Sequence, residues 1–220
     1  MSGSSTGMAL VACALALPAC GQVVNVDARH YGYAFPTDPA PQIGQLIVPI
    51  SNAPDGRLKQ LALPAGTYEV SNAAGLPGAD PGFVAWNYSA GWVWSIVICD
   101  DVTRRVVFYA DAGGVRGSAV EIANDPAVQN VRGTFTLASA TTIDLMIRDY
   151  FLPDNQGGVA VLISRVCAAD YNGDGFVDFF DYADFSEDFE TGDLRADFNG
   201  DGFIDFFDYA DFSQAFEGGC

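Results

Sequence analysis

The chain has 220 residues, with 28 Asp and Glu against 10 Lys and Arg and one histidine, for a net charge of -18 at pH 7. That balance, with no basic stripe along the chain, excludes nucleic acid as a partner, because a phosphate backbone is held by clustered lysine and arginine. Half of the residues are hydrophobic and five are cysteine, which points to a packed core and an oxidising compartment.

Met8-Ala-Leu-Val-Ala-Cys-Ala-Leu-Ala-Leu-Pro-Ala-Cys20 is an apolar run of secretory signal length, too short to span a membrane. Residues 1–21 therefore read as a signal peptide cleaved after Ala19 or Gly21, although Met1 to Gly7 lacks the basic residues that normally precede such a run. Leu17-Pro-Ala-Cys20 also has the outline of a lipobox, with proline where a small or β-branched residue is usual, and would place a lipid on Cys20. Simple secretion is the preferred reading. Both readings put the protein outside the cell, secreted or at the cell surface, with no membrane span.

Residues 22–165 are enough for one domain with its own core. Long helical periodicity is absent, and short β-rich stretches alternate with Gly, Pro, Asn and Asp. They run over Gln45 to Ile50, Leu58 to Leu63, Gly66 to Ser71, Phe83 to Tyr88, Trp92 to Cys99, Arg105 to Ala110, Gly133 to Leu137, Thr142 to Arg148 and Gly158 to Ser164. This spacing predicts an all-β sandwich of antiparallel strands. In Trp92 to Cys99 both alternating faces are largely apolar, so this is a central strand covered on both sides, and Cys99 is an inert buried thiol. Trp86, Tyr88, Trp92 and Trp94 form the densest aromatic patch. Core packing is the default for strand tryptophans, with a sugar-stacking platform as the alternative and Trp86 and Tyr88 as its surface candidates. The only histidine, His30, has no serine or cysteine motif around it, and no catalytic constellation is evident.

The closing stretch of this body holds a strand, then Asp149-Tyr150, a short loop with Asp154-Asn155, then Gly157-Gly158 and a final alternating strand. It resembles the end of galactose-binding-like jelly-roll domains, including calcium-dependent bacterial lectins. The resemblance implies a jelly-roll-like sandwich, a glycan ligand, and a third calcium ion shared by Asp149, Asp154 and Asn155. The competing reading is an Asx-stabilised turn between two strands.

Residues 166–220 hold a tandem repeat. Ala169-Asp-Tyr-Asn-Gly-Asp-Gly-Phe-Val-Asp-Phe-Phe-Asp181 returns as Ala196-Asp-Phe-Asn-Gly-Asp-Gly-Phe-Ile-Asp-Phe-Phe-Asp208. Asp170, Asn172, Asp174, Asp178 and Asp181 stand at positions 1, 3, 5, 9 and 12 of a calcium loop, and Asp197, Asn199, Asp201, Asp205 and Asp208 repeat them. The carbonyls of Phe176 and Phe203 at position 7 complete the two ligand sets. Gly175 and Gly202 sit at the sharp bend of position 6, and Val177 and Ile204 at position 8 face a small core. Asp181 and Asp208 stand where an ordinary EF-hand has glutamate, which shortens the reach of the closing ligand. Tyr182, Phe185 and Phe189, and then Tyr209, Phe212 and Phe216, make one apolar helical stripe per copy. From Asp170 to Glu217 there are fifteen acidic residues against one basic, Arg195, a net -14 that leaves -4 for the rest of the chain. Such a segment folds poorly without cations.

A loop followed by a single helix, twice in register, resembles a type I dockerin module. The resemblance implies two calcium ions and docking to a cohesin-like or other surface protein. The sequence departs from the cellulosomal pattern, because Phe179-Phe180 and Phe206-Phe207 replace the small hydroxyl pairs that contact cohesin. Glu187-Asp188 and Gln214-Ala215 likewise replace the basic pairs. The phenylalanines are either hot spots for a different partner or are packed under the neighbouring repeat. In a paired-loop module the two ends come together, so a disulfide between Cys167 and Cys220 would clasp them, contributing on the order of 4 kcal/mol. Alternatively, Cys220 is a free thiol used for attachment.

The reading is thus a secreted, calcium-binding protein whose dockerin-like module attaches a β-sandwich, with carbohydrate binding as one role for that sandwich. The alternatives are a dockerin-targeted polysaccharide-degrading enzyme and a structural cell-surface component.

Overall fold

The computed structural model describes residues 21–34, 40–174 and 176–218. The expected signal peptide and lipobox, and Cys220, lie outside the described residues. Among the described residues, eleven strands and four α-helices follow in chain order. The strands of the first half are β1 (Gln22–Asp27), β2 (Tyr31–Tyr33), β3 (Pro49–Ser51), β4 (Gln60–Leu63), β5 (Gly66–Asn72), β6 (Val84–Tyr88), β7 (Gly91–Asp100) and β8 (Val106–Arg116). Then come α1 (Ala119–Ala123), α2 (Pro126–Gln129), β9 (Arg132–Leu137), β10 (Thr141–Met146), β11 (Gln156–Arg165), α3 (Phe179–Thr191) and α4 (Phe206–Gly218). Among the described residues no helix is long and apolar enough to cross a membrane.

Nine strands form one antiparallel sheet in the order β4-β10-β7-β6-β11-β5-β9, with β8 on the far edge of β7 and β1 on the far edge of β11. β6 is the corner. Its Trp86 to Tyr88 pair with Gly91 to Val93 of β7, while Val84 to Asn87 pair with Gln156 to Val159 of β11. The sheet folds over at this shared strand, so that Trp94, Ile96 and Ile98 of β7 enter the same buried cluster as Val159, Val161 and Ile163 of β11. Two inner faces closing over one core is the arrangement expected of a sandwich. The second face of β7 is buried as well, with Val97 and Cys99 packed against Tyr33, Ile47, Val106 and Met146. β7 is therefore covered on both sides, as its largely apolar alternating faces predict.

All nine expected strands have counterparts, with one reduced. From Gln45 to Ile50 only the end is a strand, and Leu46 makes an isolated bridge to Arg105. Here the chain lies across the start of β8, with Ile47 N donating to Arg104 O at 2.9 Å. β1 and β2 were not expected, because the alternation that buries Val24 and Val26 is too short to stand out. The helices α1 and α2 were also not expected. Ser118 and Glu121 cap the first in a reciprocal box, and Asp125 with Pro126 starts the second.

The aromatic patch requires a correction. Trp94 is fully buried and Trp86 nearly so, with its indole N–H donating to Ser95 Oγ at 3.3 Å. Trp86 sits on the corner strand, where its side chain faces the core, so it is no surface candidate. Tyr88 and Trp92 are half-buried against the same core. The Cys99 thiol is buried and free. Burial, reinforced by the Asp144 carboxylate, pushes its pKa up to about 12, as expected of an unreactive thiol.

Asp144 on β10 is a fully buried acid. Arg104 Nη1 reaches it at 2.6 Å and Gln60 Nε2 at 2.9 Å. Arg104 has φ 57, the left-handed region, at the turn between β7 and β8; among the described residues it is the one non-glycine with positive φ. Burial holds the Asp144 carboxyl above the usual range, against the pull of Gln60 and Arg104. Arg104→Ala should lower the unfolding free energy by about 2 kcal/mol in urea titrations. This lies below the cost of breaking a fully buried pair because the guanidinium is partly solvated.

Asp100 behaves in the opposite sense. Burial would raise it, but hydrogen bonds from Thr103 N at 2.6 Å and Thr141 Oγ1 at 2.8 Å hold it below the usual range. A depressed carboxylate stabilises the fold fully above its unfolded pKa, about 4. It loses that contribution as pH falls through the lower folded value. Asp100→Asn should therefore destabilise the protein more at pH 7 than at pH 2, as read from melting temperatures at the two values.

Candidate calcium loops

Each loop organises itself through its own acceptors. In the first, Asn172 Oδ1 accepts from Asp174 N at 2.8 Å, Asp174 Oδ1 from Phe176 N at 2.9 Å, and Asp178 Oδ1 from Phe180 N at 2.8 Å. In the second, Asn199 accepts from Asp201 N at 2.9 Å, Asp201 from Phe203 N at 2.9 Å, and Asp205 from Phe207 N at 2.8 Å. These are Asx turns, in which a short side chain holds the backbone two residues on. The same three turns recur in the same register in both copies.

The closing acid of each loop is its anchor. Asp181 and Asp208 are 0% exposed. Asp181 takes Asn172 N at 3.0 Å on one oxygen and Asp178 N at 2.8 Å on the other. Asp208 takes Asn199 N at 3.1 Å and Asp205 N at 2.8 Å. Burial would push the Asp208 carboxyl up, but the N–H groups of Asp205, Asn199, Phe198 and Asp208 itself outweigh it and hold the group below the usual range. The carboxylate therefore stays charged although it is buried. In the first copy the same acid also completes the capping box of α3 with Asp178 as N-cap, so that loop closure and helix start are one event.

Glycine supplies the left-handed positions. Gly202 at position 6 has φ 89, while Gly175 lies outside the described residues. Gly173 and Gly200, at position 4, also have φ 76 and φ 73. That second requirement was missed, although the Asn-Gly pairs at 172–173 and 199–200 signal it.

Behind the loops the two copies meet residue on equivalent residue. Phe185 stacks on Phe212 with ring centroids 4.0 Å apart and planes 8° apart, and both are fully buried. The Tyr182 and Tyr209 hydroxyls are hydrogen-bonded to each other. Tyr182 lies against Phe216, and Tyr209 lies against Phe189, each at 5.8 Å. Tyr171 and Phe198 pack edge-on against the central pair. Such reciprocal contacts relate the repeats by an approximate twofold axis through the Phe185–Phe212 stack. Ile204 packs on this core, and Val177 is half-buried. The tail's one basic residue, Arg195, pairs with Asp188 at 3.1 Å and lies over the Tyr171 ring.

The donor set of each loop suits a hard cation. Carboxylate, carboxamide and carbonyl oxygens alternate along a short turn, and calcium takes six to eight such oxygens. Among the described residues, however, no three acidic, histidine or cysteine side chains form a group that could hold a metal. In the second loop, Asp197 is turned onto the N–H groups of Asp201 and Gly202, at 3.1 and 2.9 Å.

The remaining candidates separate. Phe179 and Phe206 are 72% exposed, and Phe180 and Phe207 are 65% exposed, so the reading that packs them under the neighbouring repeat is corrected. Each pair begins a helix whose apolar stripe starts only at Tyr182 or Tyr209, leaving the pair outside the helix contact. Asp149 spends one oxygen on Tyr150 N and Phe151 N, at 2.7 and 3.1 Å, the expected Asx turn. Asp154 is exposed, and buried Asn155 donates to Ala28 O at 3.1 Å. His30 lies 3.5 Å from Asp27 with no nucleophile in this contact. Cys167 is disulfide-bonded; its proposed partner, Cys220, lies outside the described residues.

Because the stacked pair ties the two copies together, Phe212→Ala should destabilise the tail by about 3–5 kcal/mol. It should weaken both loops together rather than one, as seen in near-ultraviolet circular dichroism of the tail aromatics. No protein-family model, curated protein or solved structure matches this chain.

Proposed function

We propose that the chain is a secreted protein in two parts. Segment 166–220 is a dockerin-like module that folds around two calcium ions and attaches the β-sandwich, jelly-roll-like body to another protein or surface. The observation that carries this reading is the recurrence of one acceptor pattern in two loops, each closed by a buried aspartate and each leading into a helix that packs on its counterpart. Asp170, Asn172, Asp174, the Phe176 carbonyl, Asp178 and Asp181 would hold one ion. Asp197, Asn199, Asp201, the Phe203 carbonyl, Asp205 and Asp208 would hold the other. Bound calcium supplies charge compensation, removing four of the tail's fourteen net negative charges.

The chain's residues do the rest. The Asx turns fix the loop backbone, the closing aspartate couples the loop to its helix, and the aromatic core couples the two loops. A disulfide from Cys167 to Cys220 would restrict the unfolded tail. For the body, binding is favoured over catalysis. Among the described residues most of its acids, Asp144, Asp125 and Asp149 among them, are engaged in ion pairs and turns, and no nucleophile–base arrangement accompanies His30.

Calorimetry on the full chain should give two calcium ions per molecule, and Asp174→Ala and Asp201→Ala should each remove one. Chelator should lower the melting temperature of the tail and leave that of the sandwich in place. A chain whose tail melts identically in calcium and in chelator would overturn the reading.

A further inference from the structure

The tail sorts its phenylalanines into two populations. Phe185 and Phe212 are fully buried, and Phe189, Phe198 and Phe216 pack against them. Phe176, Phe179, Phe180, Phe203, Phe206 and Phe207 expose between 53% and 72% of their surface. The exposed set falls at the same places in both copies, around each loop and the first turn of its helix. Within each pair the rings touch edge to face, with centroids 6.4 Å apart for Phe179–Phe180 and 6.5 Å for Phe206–Phe207. Six large aromatics left in water on so small a unit, three in each copy, are exposed apolar surface of the kind that marks an interaction site, and aromatic residues are the usual anchors of such sites.

Charge selects what can cover it. The segment from Asp170 to Glu217 carries a net -14, and two calcium ions would leave -10. A second copy of this chain, at -18, is repelled, and so is an anionic membrane. A surface that accepts aromatic rings and brings positive charge to their rim is matched in both respects. We propose that the exposed phenylalanines of the tail dock onto a basic protein surface, with arginine- or lysine-rich edges around apolar pockets that receive Phe179–Phe180 and Phe206–Phe207. This deepens the docking role above and rests on it. Phenylalanines provide the anchor and the surrounding acids provide steering, so binding has a salt-sensitive component and a ring-dependent one. An ordinary cation exchanger would show only the first.

The test uses the full disulfide-bonded chain in calcium with four probes: a peptide of alternating arginine and leucine, an oligolysine of equal charge, an uncharged serine–leucine peptide, and phosphatidylcholine vesicles. The arginine–leucine peptide should bind at least tenfold more tightly than oligolysine and weaken as salt is raised. Phe180→Ser with Phe207→Ser should reduce its affinity tenfold or more, to the oligolysine level, leaving oligolysine binding and calcium stoichiometry unchanged. Asp184→Asn with Asp211→Asn, exposed acids one helical turn after Phe180 and Phe207, should weaken the salt dependence. Unchanged arginine–leucine affinity in the phenylalanine double variant would overturn the proposal, and so would ring-dependent binding to the vesicles alone. Peptide binding in a chain that takes up no calcium would sink the calcium reading and leave this surface standing. Calcium uptake without peptide binding would sink the surface alone.

Discussion

Negative charge crowded into the last fifty residues is the constraint around which the tail is organised. Each loop places four aspartates in twelve residues, and two carboxylates 4 Å apart repel by about 1 kcal/mol even in bulk water. The fold meets this repulsion with backbone N–H groups, since the segment has only one basic side chain and that one is engaged elsewhere. Asp181 and Asp208 accept two loop N–H groups each while fully buried, and Asp174, Asp178, Asp197, Asp201 and Asp205 close turns around them. The loop shape is thereby largely set by the groups that a cation would bind.

The aromatic core converts two such loops into one object. A single loop and helix has no hydrophobic face large enough to bury by itself, but two copies related by an approximate twofold place Phe185 on Phe212 and Tyr182 beside Tyr209. Equivalent residues meet because the repeat is internal and the axis passes between the copies. The same geometry leaves the residues before each stripe outside the contact, which is why the phenylalanine pairs stay in water. In the body the corresponding organising element is β6, whose two edges join the layers and whose Trp86 therefore points inward.

Much of this was legible from residue types and spacing. The two loops and their Asx turns could be placed by number because Asp, Asn and Gly recur at fixed intervals in both copies. The stripes of Tyr182, Phe185 and Phe189 and their repeat could be placed because helical periodicity is strict. β7 announced its double burial through Trp94, Ile96 and Ile98 alternating with Val97 and Cys99. The body's weaker signals failed where they were short or ambiguous. Val24 and Val26 gave too brief an alternation, Ser118 and Asp125 cap helices of only five and four residues, and Gln45 to Ile50 has a strand's composition but mostly serves as a cover.

By itself, then, the sequence determined the strand-rich body, the duplicated Asx-turn loops and the acidic balance, all of which depend on local pattern. Only the tertiary structure decided which aromatics are core and which are surface. Trp86 is buried while Phe180 and Phe207 are exposed, outcomes that their immediate neighbours in sequence left open, because burial depends on which distant element arrives to cover a side chain. The same holds for Asp144, an acid made costly and in need of Arg104 only once β4, β7 and β10 close around it.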